Sequence, residues 1–443
     1  MSGEAARRTS VASGDDAETT RPSVAIHTHG CKLNQADSQS LARQFLDAGY
    51  RLAESPSNAD VIVLNSCTVT ATADAKARQF LRAAKRRNPQ AVVVATGCYA
   101  QRAPAELESL EAVSLVLGNT SKSALVEASH RALRGAVTAP EASATLRGGR
   151  STGLRTRAMV KIQEGCDQVC AYCIVPRVRG RERSIQADEI IAQINRHTAD
   201  GCREVALTGT QLGSYGFDLP GLDLARLLER ILAETSVERL RVSSLQAHEI
   251  TPRLLVLWGD SRLMRHFHIP LQSGSDGILR KMRRRYDSEQ FRDAVERVRG
   301  NYPDAGITTD LIVGFPGETD EDYCCSRDFA AAMRFSDIHV FPYSPRPGTS
   351  ASHFGDQVAE FRKRERMGEM LAIATECRLQ FRRSQLGTVR PVLYEQSSRS
   401  GSWTGLTDNY VRVRTSAESD LANCIADARL TGIDGDWVLA KIV

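Results

Sequence analysis

A chain of 443 residues, 42% hydrophobic and 25% charged, has the composition of a soluble protein with room for two or three domains with real cores. Eleven cysteines without a signal peptide argue against a secreted disulfide scaffold and for the cytoplasm, where thiolates are kept for metal. A formal charge of +5 is a mild excess and only a weak sign of a polyanionic partner.

Residues 1–22 are rich in Ser, Thr, Ala and acidic residues without an apolar core, and read as a disordered tail, neither secretory nor membrane-spanning. Residues 23–134 alternate apolar strands with helical stretches, the pattern of a small parallel α/β domain. Three of those strands lead to cysteines: Ser23 to Gly30 runs to Cys31, Ala59 to Ser66 to Cys67, and Ala91 to Gly97 to Cys98. Carboxyl ends of parallel strands line one crevice, so the three thiols can converge although far apart in sequence. The bland alternative for each is a buried small hydrophobe.

Residues 135–156 are rich in Gly, Ala, Ser and Thr and read as a linker. Residues 157–386 resume the alternation, with strands expected at Met159, Val205, Leu240, His266, Ile307 and Ile338. Six such units make an incomplete parallel barrel whose carboxyl-end loops carry the site. After the first strand comes Gly165-Cys-Asp-Gln-Val-Cys-Ala-Tyr-Cys, placing Cys166, Cys170 and Cys173 at CxxxCxxC spacing. Three thiolates hold three irons of a cubane and leave the fourth open to a small molecule. Zinc is the weaker reading, because no second CxxC or histidine pair follows at zinc-ligand spacing. His268 and the amide of Gln272, in His268-Ile-Pro-Leu-Gln, either line a substrate cavity or satisfy buried backbone groups. Basic runs at 177–183, 280–286 and 361–366 are each a solvated helix face or part of an RNA surface. Residues 387–443 alternate apolar and polar residues around Gly and Asp turns, as a small antiparallel barrel does.

The cysteine loop, with Tyr172 before its third cysteine, resembles the cluster loop of the radical S-adenosylmethionine enzymes. Gly30-Cys-Lys-Leu-Asn, Asn65-Ser-Cys-Thr-Val-Thr and Thr96-Gly-Cys are similar to the cysteine motifs of the methylthiotransferase amino-terminal domain, and the likeness spans residues 23–443. Cys67-Thr-Val-Thr with Ala73-Asp-Ala-Lys-Ala-Arg-Gln looks like the branch acting on threonylcarbamoyladenosine in tRNA. The last segment resembles a TRAM domain.

The resemblance implies an α/β enzyme with a partial (β/α)6 radical S-adenosylmethionine barrel and two 4Fe-4S clusters, one on Cys166, Cys170 and Cys173 and one on Cys31, Cys67 and Cys98. S-adenosyl-L-methionine would contact Tyr172, Gly209, Thr210, Gln211 and Gly314, and tRNA would be gripped by Tyr410, Arg412 and Arg414. Its first cluster would cleave the cosubstrate to a 5′-deoxyadenosyl radical, and its second would carry sulfur. No catalytic side chain beyond the cluster ligands is implied; an electron donor and a sulfur source are. Two rivals are the same chemistry on isopentenyladenosine or a ribosomal-protein aspartate, and a noncatalytic iron-sulfur RNA-binding redox sensor.

Overall fold

The computed structural model describes residues 21–136, 156–397 and 401–443. The tail to residue 20 and most of the expected linker lie outside the described residues, although Gly135 and Ala136 continue the helix Leu125–Ala136 rather than opening a linker. By contact, the chain divides into two compact units. The first holds a parallel sheet of β1 (Ser23–His29), β2 (Arg51–Leu52), β3 (Val61–Ser66), β4 (Val92–Gly97) and β5 (Leu115–Leu117), ordered β2-β1-β3-β4-β5. Every residue of β3 and β4 is buried, as central parallel strands covered on both faces require. Apolar side chains alternate between two cores, Ile62, Leu64 and Val93 packing with Leu81, and Val61, Val63 and Val94 with Phe45. Short β2 was not expected; two residues carry no legible period.

The second unit comprises the chain from Thr156 onward with the short segments Cys31–Ala36 and Thr68–Ala73. Its strands are β6 (Arg157–Lys161), then the two-residue pair β7 (Gln163–Glu164) and β8 (Arg183–Ser184), then β9 (Glu204–Thr208), β10 (Arg239–Val242), β11 (His266–His268), β12 (Gly306–Val313) and β13 (Asp337–Pro342). Parallel pairing gives β10-β9-β6 and β11-β12-β13, and the bridge Ser244 to His268 joins the halves. The result is the six-stranded partial barrel expected. Alternation sorts its faces: Val205, Leu207, Leu240, Val242, Ile307, Leu311, Ile338 and Val340 pack in the large core. The opposite face carries polar side chains, among them Glu204, Arg239, Arg241, His266 and His268.

β14 (Val389–Ser397), β15 (Ser402–Thr407), β16 (Arg412–Ser416), β17 (Ile425–Asp434) and β18 (Trp437–Ile442) close a five-stranded barrel ordered β14-β15-β16-β18-β17. Two corrections follow. The pair β16 and β18 is parallel, so the barrel is not purely antiparallel. It is also no separate body: Arg239 donates to the carbonyls of Leu406 (3.3 Å) and Thr407 (2.9 Å), and Asn409 to that of Asp304 (2.8 Å). These bonds satisfy strand-end carbonyls with buried side chains and tie the small barrel to the large one.

Candidate active site

The pair β7 and β8 brackets the cysteine loop as antiparallel strands, Gln163 opposite Ser184 and Glu164 opposite Arg183. Glu164 locks the bracket by accepting from Lys161 (3.0 Å), Arg179 (2.9 Å) and Arg183 (2.9 Å), with the Arg179 side chain 2% exposed. Gly165 turns the chain at φ +77°, where a Cβ would overlap the Arg181 carbonyl, so only glycine fits. The Cys166 N–H donates to the Gly180 carbonyl (3.2 Å), closing the loop's base. Cys166 is buried and Cys173 partly exposed, and removal from water pushes their thiols up to about 11 and about 12. A bound cation is what would favour their thiolates. Arg284 reaches the Cys170 sulfur at 3.5 Å. Tyr172 follows into the cluster of Ala171, Phe315 and Tyr343, and burial drives its hydroxyl well above the ordinary value.

Gln163 links this loop to the turn after β9. Its side-chain oxygen accepts from the backbone N–H groups of Thr210 and Gln211 (2.9 Å each), and its amide donates to the Gly165 carbonyl (2.9 Å). Gly209, Thr210 and Gln211 are thereby fixed against the cysteine loop, and a Cβ on Gly209 would lie 3.0 Å from the Gln163 carbonyl. Gln211 bonds Glu249, and Gln246 bridges to Gln211 (2.6 Å) and to Gln168 in the cysteine loop (3.0 Å). Burial raises the Glu249 carboxyl to about 7. Gly314 lies at the end of β12 with φ +71°, its N–H given to Glu318 (2.6 Å), which makes it part of a turn held by Arg366. Gln163, Gln246 and Glu249 were not read from sequence, since lone polar residues outside a spaced motif carry no signal, and Arg284 was read only as part of the basic run 280–286.

In the first unit, His29 stands opposite Ser66 and Ser66 opposite Gly97. Cys67 and Cys98 are the next residues, so in-register backbone delivers both at a strand's carboxyl end, and Cys31, two residues past His29, opens the short segment grouped with the second unit. Gly97 adopts φ +95°, where a Cβ would overlap Asn65 and Ser66, and so frees the chain to turn into Cys98. Cys98 accepts from Asn119 (3.7 Å), and Cys31 lies 3.2 Å from the Asn34 side-chain oxygen.

Two expectations for RNA contact need correction. Tyr410, expected to stack bases, turns inward at φ +68°: its hydroxyl bonds Glu204, its ring lies 4.1 Å under the Arg241 guanidinium and 4.7 Å from His266. Its pattern of aromatic beside cations reads alike whether it faces RNA or a neighbouring barrel. The basic runs also spend charge within the protein, Arg179 on buried Glu164, Arg366 on buried Glu318 and exposed Asp320, and Lys363 on exposed Glu360. Arg412 is exposed, and Arg414 pairs with Asp434 (3.2 Å) over the Trp437 ring.

Residues 23–118 match the uncharacterized protein family UPF0004, and residues 160–329 the radical SAM superfamily. The Bacillus subtilis threonylcarbamoyladenosine tRNA methylthiotransferase MtaB is 36% identical, covering 92% of this chain and 93% of its own. A tRNA-2-methylthio-N(6)-dimethylallyladenosine synthase from Syntrophobacter fumaroxidans is also 36% identical, over 91% of this chain and 92% of its own. Among solved structures, the radical S-adenosylmethionine methyltransferase TsrM from Kitasatospora setae aligns with a TM-score of 0.53 at 15% identity, over 75% of this chain and 77% of that one, a likeness of fold. Among the described residues no helix is long and apolar enough to cross a membrane.

Proposed function

We propose that this chain, which belongs to the radical S-adenosylmethionine methylthiotransferase family, adds a methylthio group to C2 of an N6-threonylcarbamoyladenosine beside the anticodon of cytoplasmic tRNA. The observation that carries the reading is the three-cysteine loop, bracketed by β7 and β8 and tied through Gln163 to the turn at 209–211. Two thiols with raised pKa values, Cys166 buried and Cys173 partly exposed, fit a metal cluster, because bound cations offset the cost of thiolates there. Three thiols rather than four leave one iron open.

In this reading Cys166, Cys170 and Cys173 hold one 4Fe-4S cluster and Cys31, Cys67 and Cys98 a second. When bound, the first supplies reductive cleavage of S-adenosylmethionine to a 5′-deoxyadenosyl radical and the second a site for sulfur, chemistry that acid and base side chains cannot perform. The protein's own residues position and shield. Tyr172 and the backbone at Gly209, Thr210 and Gln211 line the cosubstrate's methionine end, with Gly314 on its nucleoside side. Glu249 orients the Gln211 amide. Arg412 and Arg414 contact the tRNA backbone, and an electron donor and a sulfur source complete the system. The named threonylcarbamoyladenosine relatives support that substrate, as does a barrel interior rich in polar groups.

Nucleoside analysis of tRNA from cells lacking the gene tests the substrate. The expected outcome is loss of 2-methylthio-N6-threonylcarbamoyladenosine with accumulation of the form lacking the methylthio group. Loss of the methylthio isopentenyladenosine instead would reassign the substrate, and reduced, reconstituted protein that makes no 5′-deoxyadenosine would leave only the noncatalytic sensor.

A further inference from the structure

Three neighbouring strands bring His268, Asp310 and His339 together inside the barrel, with Asp310 paired in register to His339 and His268 to Thr308. Asp310 lies 3.3 Å from His268 Nε2 and 3.2 Å from His339 Nδ1. The potential ligand atoms all fall within 4.8 Å of one another, close enough for a metal ion. The hydrogen-bond polarity argues for a different use.

That polarity is set at Arg241, a guanidinium that can only donate. It donates to His266 Nδ1 (3.0 Å), so neutral His266 carries its proton on Nε2 and donates to the Thr308 hydroxyl (3.4 Å). Burial holds His266 well below its ordinary pKa, consistent with the neutral ring. Thr308 then donates to His268 Nδ1 (3.0 Å), and His268 donates from Nε2 to Asp310. An ionised carboxylate only accepts, so His339 Nδ1 must also carry a proton. Both imidazole nitrogens facing Asp310 are N–H donors and offer no lone pair to a metal. Reversing the chain to free one would set two donors against each other at Arg241. Although burial opposes it, the two imidazole donors hold Asp310 well below the carboxylate range.

The open end of the chain is His339. Its side chain is 52% exposed, and Phe341, two residues on along the same face, is 43% exposed. With Nδ1–H fixed on Asp310, His339 has Nε2 left to meet a ligand. We propose that His339, held by Asp310, is the cation that pairs with the carboxylate of the substrate's N6 side chain, an inference that rests on the threonylcarbamoyl reading above. A neutral isopentenyl group would offer the outward Nε2–H of that imidazolium no acceptor, so the same group that favours one substrate disfavours the other. Arg241 is a positioning residue, fixing the tautomers from the far end of the chain.

The test compares tRNA carrying threonylcarbamoyladenosine with the same tRNA whose threonine carboxylate is masked as a methyl ester. The parent enzyme should prefer the acid by about 10- to 100-fold in kcat/KM, the range for a charge-assisted hydrogen bond. His339→Asn, whose amide can still donate to Asp310, should lose that preference to within about twofold. Its 5′-deoxyadenosine yield without tRNA should be unchanged, which separates lost recognition from a damaged fold. His339→Lys should restore part of the preference. Undiminished preference in His339→Asn overturns the inference, as does stoichiometric zinc bound to the parent and lost in that variant. Turnover of threonylcarbamoyladenosine with no preference for acid over ester sinks only this inference, whereas turnover of isopentenyladenosine alone sinks the substrate reading with it.

Discussion

The two cysteine triplets are built by opposite means. Cys166, Cys170 and Cys173 fall within eight consecutive residues, and local devices shape them: a bracketing strand pair, a positive-φ glycine and one carboxylate accepting from three cations. Cys31, Cys67 and Cys98 depend instead on the sheet, since β1, β3 and β4 pair in register and each cysteine comes just past a strand end. Each triplet has one buried cysteine, Cys166 and Cys98, and Cys31 is the exposed member of the six. A site made by one loop can be changed without touching a sheet, and a site made by register can lose its ligands while every strand stays paired. The proposed division of labour is therefore separable by mutation.

The largest effects test that separation directly. Anaerobically reconstituted protein should bind about eight irons, two cubanes. Changing Cys166, Cys170 and Cys173 together to Ala should remove about half and abolish 5′-deoxyadenosine formation, read by iron assay and product chromatography. The triple change at Cys31, Cys67 and Cys98 should also remove about half, yet leave cosubstrate cleavage intact while no methylthio nucleoside forms. Loss of cleavage in that second variant, with the barrel cluster still loaded, would show that the two triplets do not act independently.

A smaller change asks whether the loop's bracket is what holds the first site. Glu164→Ala removes the carboxylate that buried Arg179 donates to, and breaking one partner of such a pair costs about 3–5 kcal/mol. Urea unfolding should show that loss. The variant should retain less iron than the parent at the barrel site and equal iron at the sheet site.

Glu249 supplies a pH-dependent test on the barrel side. Its carboxyl is held protonated up to about 7 by burial, against an ordinary value near 4.5. Between those two values the unfolded chain has released a proton that the folded chain retains, so stability falls as pH rises through this window and levels off above it. The shift corresponds to at most about 3 kcal/mol. Glu249→Gln should remove that slope, so urea midpoints of metal-free parent and variant, compared at pH 4.5 and pH 8, should shift in the variant's favour at the higher pH. Parallel profiles would mean that Glu249 is ionised in the folded protein.

What could be read from sequence follows the same contrast between local and register-built structure. The cluster loop was legible from spacing, and the central strands of the first sheet from runs such as Val61 to Leu64 and Val92 to Ala95, because buried parallel strands leave unbroken apolar stretches. β15 and β17 were not, since Ser402–Thr407 and Ile425–Asp434 carry Gly, Thr and Asp inside strands that curve into a barrel. His268 could be flagged at a strand end, but Asp310 and His339 join it only through strand register, which no single-strand pattern contains.

The smallest expected effect concerns how RNA is held, and the tie between the two barrels changes how it must be measured. Deleting residues 387–443 would strip partners from Arg239, Glu204 and Asp304, so weaker tRNA binding after deletion could report damage to the large barrel instead. Changing Arg412 and Arg414 to Ala avoids this, since Arg412 is exposed and Arg414 pairs with Asp434 over Trp437 on the surface of the small barrel. Each lost phosphate contact should lower the slope of log affinity against log salt by about one. The double variant should therefore bind tRNA more weakly at low salt and converge on the parent as salt rises, with 5′-deoxyadenosine yield unchanged. Tyr410→Phe is the matching control. Its hydroxyl is spent on Glu204 inside the protein, so that variant should lower the unfolding midpoint and leave the salt slope where it was. If instead Tyr410→Phe weakens tRNA binding while the two arginine changes do not, the grip lies at the junction of the barrels, and the face of β16 serves another purpose.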